Sequence, residues 1–287
     1  MRTIKKSAWA LATLLLGLPM AMTGTANAQC VNCTKEDPKQ ILLNLIDQTD
    51  SAYLTQSPQN LMMMDSNSAY FVVDDGKALF GQKRGPKNAT LAQCDFGKGP
   101  GVLKGAYAEM PKYFEDTGRV MDLESRLAHC MKTLQGFPED APELSNRGEL
   151  RALMAYVGAQ SNGYEWNPST DHPMEKAMRD AGEEMFYRRS GPMDFSCNTC
   201  HGETGKQIRA SVLPNVNVPK EWTKAVSWPA HRVGKGSIRS PYQRLRGCYW
   251  QMRKGRINRR SDAAVAMFSY WKDAASGEQA ILPDLKR

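Results

Sequence analysis

Cys197-Asn198-Thr199-Cys200-His201 is the stretch that decides how this chain is organised. Two thiols separated by two residues, with a histidine directly after the second, are what covalent attachment of a c-type haem requires. The cysteines add to the haem vinyl groups, and the histidine is then held under the iron as an axial ligand. The motif predicts one haem c, attached at Cys197 and Cys200 with His201 on the iron.

The N-terminus reads as a secretory signal peptide. Lys5 and Lys6 precede an apolar run over residues 8–22, and Ala26-Asn27-Ala28 supplies a small-x-small cleavage site. We expect residues 1–28 to be removed and the mature protein to be periplasmic. The apolar run is too short for a stable membrane span and no later stretch is apolar enough, so no membrane span is expected.

The charge balance is mildly basic. The formal net charge is +8, and removal of the signal peptide lowers it by three. This excess favours an anionic substrate or partner, but it is too small and dispersed to indicate nucleic-acid binding. The densest positive run covers residues 253–260. It is either a solvated surface or a site that docks or steers a partner.

One sequence pattern occurs twice. Each copy begins with a glycine and a phenylalanine four residues apart, Gly76 and Phe80 in the first and Gly182 and Phe186 in the second. Gly-Pro and a cysteine follow (Cys94, then Cys197). Next come Arg-Leu ahead of another cysteine (Cys130, then Cys248) and a helical segment with a tyrosine (Tyr156, then Tyr270). A glycine and an aromatic residue at this spacing share one helix face, where a second helix can approach closely. The pattern predicts a mainly α fold of two tandem cytochrome c-like modules, residues 29–160 and 161–287.

The first module is expected to lack haem. Gly97 and Lys98 stand where the second cysteine and the histidine would have to follow Cys94. Cys94 and Cys130 then hold the attachment and ligand positions of a pocket without cofactor, so a disulfide between them is plausible. Cys30 and Cys33 precede both copies of the repeated pattern, and we expect them to pair with each other or to frame a tail contact.

Cys248 is the remaining thiol, and it is the best candidate for the second axial ligand. The repeat places it at a ligand position, whereas Met252 and Met267 are candidates by position alone. A thiolate lowers the reduction potential relative to methionine, which points to sulfur chemistry at the ligand. Arg244 stands one helical turn earlier, where a guanidinium would stabilise a thiolate and bind an oxyanion; an internal ion pair is the alternative role for it.

Three other interpretations compete with this one. The chain could be a plain electron-transfer cytochrome with Met252 or Met267 on the iron. Cys197 and Cys200 could form a thioredoxin-like dithiol, but the βαβ context of that site is absent and His201 would be unexplained. They could also bind zinc together with Cys30 and Cys33, although an exported chain argues against that.

The haem motif followed by Arg244-Leu245-Arg246-Gly247-Cys248-Tyr249-Trp250-Gln251 resembles the SoxA family. SoxA is the haem subunit of the SoxAX cytochrome complex of bacterial thiosulfate oxidation. The resemblance implies an L-cysteine S-thiosulfotransferase, which joins thiosulfate oxidatively to a cysteine of the SoxYZ carrier protein and releases two electrons. A SoxX cytochrome subunit would complete the heterodimer.

The same resemblance implies a role for each site residue. His201 and Cys248 would be the axial ligands, Cys248 would also be the catalytic residue that bears a persulfide, and Arg244 would bind the substrate. The chain resembles the one-haem branch of the family, in which a disulfide replaces the first cofactor.

Few strands are expected. Residues 70–73 are the best strand candidate, residues 214–241 should form long loops, and residues 38–48 have the spacing of a core-facing helix.

Overall fold

The computed structural model describes residues 68–145, 148–208 and 211–286. The expected signal peptide, Cys30, Cys33 and the helix predicted at 38–48 lie outside these residues. Within the described residues, no helix is long and apolar enough to cross a membrane.

The described part of the chain is mainly helical, as predicted. The α-helices are α1 (Ser68–Gly81), α2 (Leu123–Thr133), α3 (Glu149–Ala159), α4 (Pro173–Tyr187), α5 (Cys197–His201), α6 (Pro219–Val226), α7 (Pro241–Gln251) and α8 (Asp262–Asp273). Short 3-10 helices cover Ala106–Glu109, Pro142–Leu144 and Val233–Lys235.

The strands are short and form three small sheets. β1 (Lys112–Phe114) pairs antiparallel with β2 (Arg119–Met121), and β3 (Gln207–Ile208) pairs antiparallel with β4 (Ser211–Val212). In the third sheet, β5 (Ala230–Arg232) is central, antiparallel to β6 (Ser237–Arg239) and parallel to β7 (Asp284–Lys286).

Each of the two modules contains the same kind of helix crossing. A Cβ atom on Gly76 of α1 would lie 2.0 Å from the carbonyl oxygen of Ala152 on α3. A Cβ atom on Gly182 of α4 would lie 2.0 Å from the carbonyl oxygen of Ala266 on α8. Only glycine permits so close a backbone approach. The repeat detected in the sequence is therefore a repeat of this crossing.

The helices α2 and α7 form a second matching pair. Each has 11 residues and begins at a polar N-cap, Asp122 or Ser240, whose side chain accepts a backbone hydrogen bond from three residues further on. Arg126 and Arg244 occupy the same position in the two helices, one turn before Cys130 and Cys248. The fold thus reproduces the Arg-Leu correspondence that the sequence predicts.

The structure corrects the predicted match of Cys94 with Cys197. The loops after α1 and α4 have the same backbone: Arg84 bridges Ala89 as Ser190 bridges Phe195, and Asn88 and Asp194 both have positive φ. At that unbroken spacing, Cys94 falls opposite Cys200. Leu91 then stands opposite Cys197 and Asp95 opposite His201, so these positions, not Gly97 and Lys98, are where the first module departs from a haem motif. The sequence comparison missed this because it introduced a gap before the cysteine.

Two expectations about local structure were wrong. Residues 70–73 belong to α1 rather than to a strand. The packing of α1 against α3 overrides the strand propensity of these aromatic and β-branched residues. Residues 214–241 contain α6 and the β5–β6 hairpin rather than only long loops.

The modules pack together through one hydrophobic core and several buried polar contacts. The Tyr107 hydroxyl donates to the Trp228 carbonyl at 2.6 Å, and the Lys272 ammonium donates to the Tyr107 carbonyl at 2.5 Å. Both bonds tie the second module to Tyr107 in the 3-10 turn of the first. The division at residue 160 stays a prediction.

Candidate functional site

The haem motif forms α5, a single helical turn with a capped start. The Ser196 hydroxyl accepts from the Thr199 backbone N–H at 3.2 Å, and the Thr199 hydroxyl accepts from the Ser196 N–H at 3.0 Å. This reciprocal cap satisfies two donors that a helix start leaves free. It fixes Cys197 and Cys200 one turn apart, both as free thiols, with Cys197 buried and Cys200 half-buried.

His201 is oriented for binding through Nε2. Its Nδ1–H donates to the Pro214 carbonyl at 2.8 Å, so the other ring nitrogen keeps its lone pair. The ring packs edge-on against Trp222 at 5.2 Å between centroids, and the Trp222 indole donates to the Trp271 carbonyl at 2.8 Å. Burial lowers the pKa of His201 to about 4. The imidazole is therefore neutral at physiological pH, which is the form that binds a metal.

Cys248 is brought from α7 to the thiols of α5. It is a free, half-buried cysteine. Burial, and then the electrostatic influence of Cys248, raises the pKa of Cys197 to about 12. The pKa of Cys200 is raised by the same two causes. The fold therefore brings the Cys248 sulfur, which is distant in sequence, within electrostatic reach of the two sulfurs of α5.

Arg244 is a half-buried cation without a carboxylate partner. Among the described residues its side chain makes no ion pair and no hydrogen bond. Its charge contributes, after burial, to the low pKa of His201. The matching Arg126 differs. Its Nε donates to the Asp95 carbonyl at 2.6 Å, its NH1 pairs with Asp116 at 2.8 Å, and it lies over the Phe114 ring at 4.0 Å. The internal ion pair considered for Arg244 is thus found at Arg126.

The disulfide expected in the first module is present. Cys94 and Cys130 are joined at an S–S distance of 2.04 Å. In the corrected alignment they correspond to Cys200 and Cys248, which are free thiols in the second module. The same pair of positions is therefore closed covalently in one module and left open in the other.

The alternative ligands Met252 and Met267 both belong to the hydrophobic core. Met252 follows α7 and is 5% exposed, and Met267 is completely buried on α8. Cys248 is the more accessible of the three sulfur atoms proposed as second ligand.

Sequence reasoning missed Pro214 and Trp222, which orient His201. Every residue has the same backbone carbonyl whatever its side chain, so the acceptor of Pro214 cannot be recognised from the residue type. A proline closing the loop after the haem motif was the available signal.

The donor set fits a haem c. Two free thiols stand at attachment spacing, a neutral imidazole presents Nε2, and the Cys248 sulfur lies near both thiols. Thiols and imidazole are the protein ligands that haem chemistry uses.

Comparison with known proteins identifies the same type of domain. The family model described as SoxA/TsdA, cytochrome c domain, matches residues 75–166. A cytochrome c domain is therefore recognised in the part of the chain that has no C-x-x-C-H motif.

Curated relatives cover most of the chain. An L-cysteine S-thiosulfotransferase subunit SoxA from Hydrogenophilus thermoluteolus is 39% identical over 78% of this chain and 84% of the relative. A protein of the same name from Hydrogenobacter thermophilus is 32% identical over 73% of this chain and 80% of the relative. The crystal structure of SoxXA from P. pantotrophus matches with a TM-score of 0.65 at 24% identity, over 77% of this chain and 79% of that chain, and shows the same fold.

Proposed function

The chain belongs to the SoxA family, and on that premise we propose that it is the haem-bearing subunit of an L-cysteine S-thiosulfotransferase. It joins thiosulfate to a cysteine of the SoxYZ carrier protein in the periplasm, as a heterodimer with a SoxX cytochrome subunit. The observation that carries this proposal is the free Cys248 thiol beside the haem-attachment cysteines, one turn from an arginine with no ion pair in the described residues.

One haem c would be held by this chain. Cys197 and Cys200 would attach it, and His201 and Cys248 would bind its iron. The Pro214 carbonyl orients the imidazole through Nδ1–H, which supports ligation through Nε2. When bound, haem c supplies an acceptor of single electrons next to the reacting sulfur.

Arg244 binds and orients thiosulfate. A guanidinium presents paired donors that suit a sulfonate group, and the absence of an ion pair among the described residues leaves those donors free for it. The outer sulfur of thiosulfate then lies towards Cys248. Because Arg244 and Cys248 share one face of α7, binding and reaction are coupled by one rigid helix.

Cys248 is the residue on which sulfur is transferred. A bond forms between its thiolate sulfur and the outer sulfur of thiosulfate, and two electrons leave the new sulfur–sulfur pair. The thiolate of the carrier cysteine attacks the outer sulfur, which forms carrier-cysteine S-thiosulfonate and regenerates the Cys248 thiolate. Atoms and charge balance, since the only net redox change is the loss of two electrons.

Substitution of Cys248 tests the proposal. In the haem-loaded heterodimer, we expect Cys248→Ala to abolish thiosulfate transfer to the carrier, measured as a mass increase of the carrier, while covalent haem content is unchanged. Met252→Leu is the matched control and should keep transfer and spectrum. Full transfer by Cys248→Ala would overturn the assignment of Cys248. No transfer by the unsubstituted complex, with a spectrum altered by Met252→Leu, would support an electron-transfer cytochrome instead.

A further inference from the structure

The segment that contains Cys248 is rich in cations, and several of them make no ion pair among the described residues. From Trp222 to Ser261 the sequence has eleven Lys and Arg residues and no Asp or Glu. Arg259 and Arg260 pair with Glu124 and Glu139 of the first module. The sequence left the role of the run 253–260 open. Its last two residues make ion pairs with the first module, and its other cations make none within the described part of the chain.

Five of the other nine cations lie on and just after α7. Among the described residues, none of these five has a carboxylate partner: Arg244, Arg246, Arg253, Lys254 and Arg256. Arg246, Arg253 and Arg256 are exposed. Unpaired cations on one short segment of the chain create a potential that attracts an acidic surface and accelerates its association.

An aromatic side chain stands in the middle of this charge. Trp250 lies two residues after Cys248 and is 60% exposed. The Arg253 guanidinium lies over its ring at 4.7 Å from the centroid and donates to the Trp250 carbonyl at 3.2 Å. An exposed indole held in place by a cation loses little entropy on binding, which is the property of interface anchors.

The turn that holds Trp250 has an unusual backbone. Arg253 has φ of 57°, a left-handed conformation that side chains other than glycine rarely adopt. The Arg253 N–H donates to the Trp250 carbonyl at 3.1 Å, and the Lys254 N–H donates to the Tyr249 carbonyl at 2.9 Å. Backbone strain of this kind persists where the surroundings fix it, and it is concentrated at functional sites.

The surface continues onto the loop before the haem motif. The Lys254 ammonium donates to the Arg188 carbonyl at 3.3 Å, and Gly191 lies against Lys254. Met193 of this loop is 43% exposed. Two exposed apolar side chains, Trp250 and Met193, thus flank a cationic turn next to Cys197 and Cys248.

We propose that Trp250, clamped by Arg253, is the anchoring side chain on which the acceptor protein docks through an acidic face, so that its cysteine reaches Cys248. The inference rests on the proposed function, since it assumes that the acceptor is a protein, the SoxYZ carrier. Charge complementarity selects an acidic partner. Trp250, Arg253 and the reacting Cys248 belong to one short segment, α7 and the turn after it, which selects the acceptor over a partner that binds elsewhere.

The test uses the haem-loaded heterodimer and the reduced SoxYZ carrier as probe. We expect Trp250→Ala to weaken carrier binding about tenfold or more and to raise KM for the carrier while kcat and KM for thiosulfate are unchanged. Arg253→Ala should give a smaller loss and a shallower dependence of Kd on ionic strength. Phe71→Ala, which removes an aromatic side chain that is 73% exposed on α1, is the matched control and should change neither.

Haem content and thermal stability are measured for each variant to establish that it folds. Equal carrier affinity of Trp250→Ala and the unsubstituted complex would overturn the proposal. So would loss of the SoxX subunit from Trp250→Ala, since the surface would then be the heterodimer interface. An unsubstituted complex that binds the carrier but transfers no thiosulfate would refute the proposed function and leave the docking surface standing.

Discussion

At the scale of single residues, two arginines in matching positions differ in their side-chain contacts. Arg126 is satisfied by Asp95, Asp116 and the ring of Phe114, whereas Arg244 has no such partner among the described residues. The sequence predicted that Arg244 is special from its place before Cys248. It could not predict the contrast, because Asp116 belongs to a strand turn that the second module does not repeat.

Substitution of the two arginines should separate catalysis from stability. We expect Arg244→Met to lower the rate of thiosulfate transfer on the order of a hundredfold, because a preorganised anion-binding group is lost. The free energy of unfolding should change by less than about 0.5 kcal/mol, since no protein contact is broken.

Arg126→Met is the matched control for that experiment. It should cost about 2–3 kcal/mol of stability, because buried hydrogen bonds to a charged group are lost, and leave transfer by the folded protein intact. Urea unfolding and initial rates measure both quantities. A large stability loss for Arg244→Met would contradict its assignment to substrate.

At the scale of elements, the two glycine-mediated helix crossings were predictable and the register of the haem-site loop was not. Gly76 and Gly182 carry a signal because a close helix approach admits no other residue. The sequence around Cys94 does not show whether this cysteine matches Cys197 or Cys200, since a cysteine is compatible with either position until the loop backbone is known. The correct correspondence follows from the shared positive φ of Asn88 and Asp194.

The crossing predicts a sharp response to added volume. Gly182→Ala places a Cβ atom against the backbone of α8, where no side chain can move aside, so we expect more than about 3 kcal/mol of destabilisation or failure to accumulate as haem protein. Gly81→Ala, at the end of α1, meets no atom within 4 Å and should be nearly neutral. Thermal unfolding and the yield of covalently attached haem measure the difference. Wild-type stability of Gly182→Ala would show that the helices are further apart.

At the scale of the whole molecule, the packing of the two modules against each other was the least predictable feature. Glu124 of α2 is 1% exposed, and its Oε1 lies 3.3 Å from Nε of Arg259, which follows α7. Burial, then the nearby Asp122, raises the pKa of Glu124 to about 7. The sequence presents both residues as ordinary surface charges, because nothing in a local pattern indicates which charges a neighbouring module will cover.

This junction should make stability depend on pH. Between pH 4.5 and about 7, folded Glu124 holds a proton that the unfolded chain has released, so its contribution is present at low pH and is lost as pH rises. We expect the stability of the unsubstituted protein relative to Glu124→Gln to fall by on the order of 2–3 kcal/mol from pH 4.5 to 8.

Glu139→Gln is the control for that titration. It removes an exposed partner of Arg260 and should leave the slope between pH 5 and 8 unchanged. Thermal unfolding across this pH range distinguishes the two variants. Parallel curves for Glu124→Gln and the unsubstituted protein would show that Glu124 ionises normally.

The cluster of three free sulfurs also has a consequence for biogenesis. On the proposed periplasmic location, the polypeptide presents five thiols of the two modules to an oxidising compartment before the cofactor is attached. Only the bond between Cys94 and Cys130 is productive; joining Cys248 to either cysteine of α5 would consume an attachment thiol. Haem attachment at α5 must therefore be faster than disulfide formation there, or a reductase must reduce the non-native disulfide. The yield of holoprotein is then set by the order of two competing covalent events.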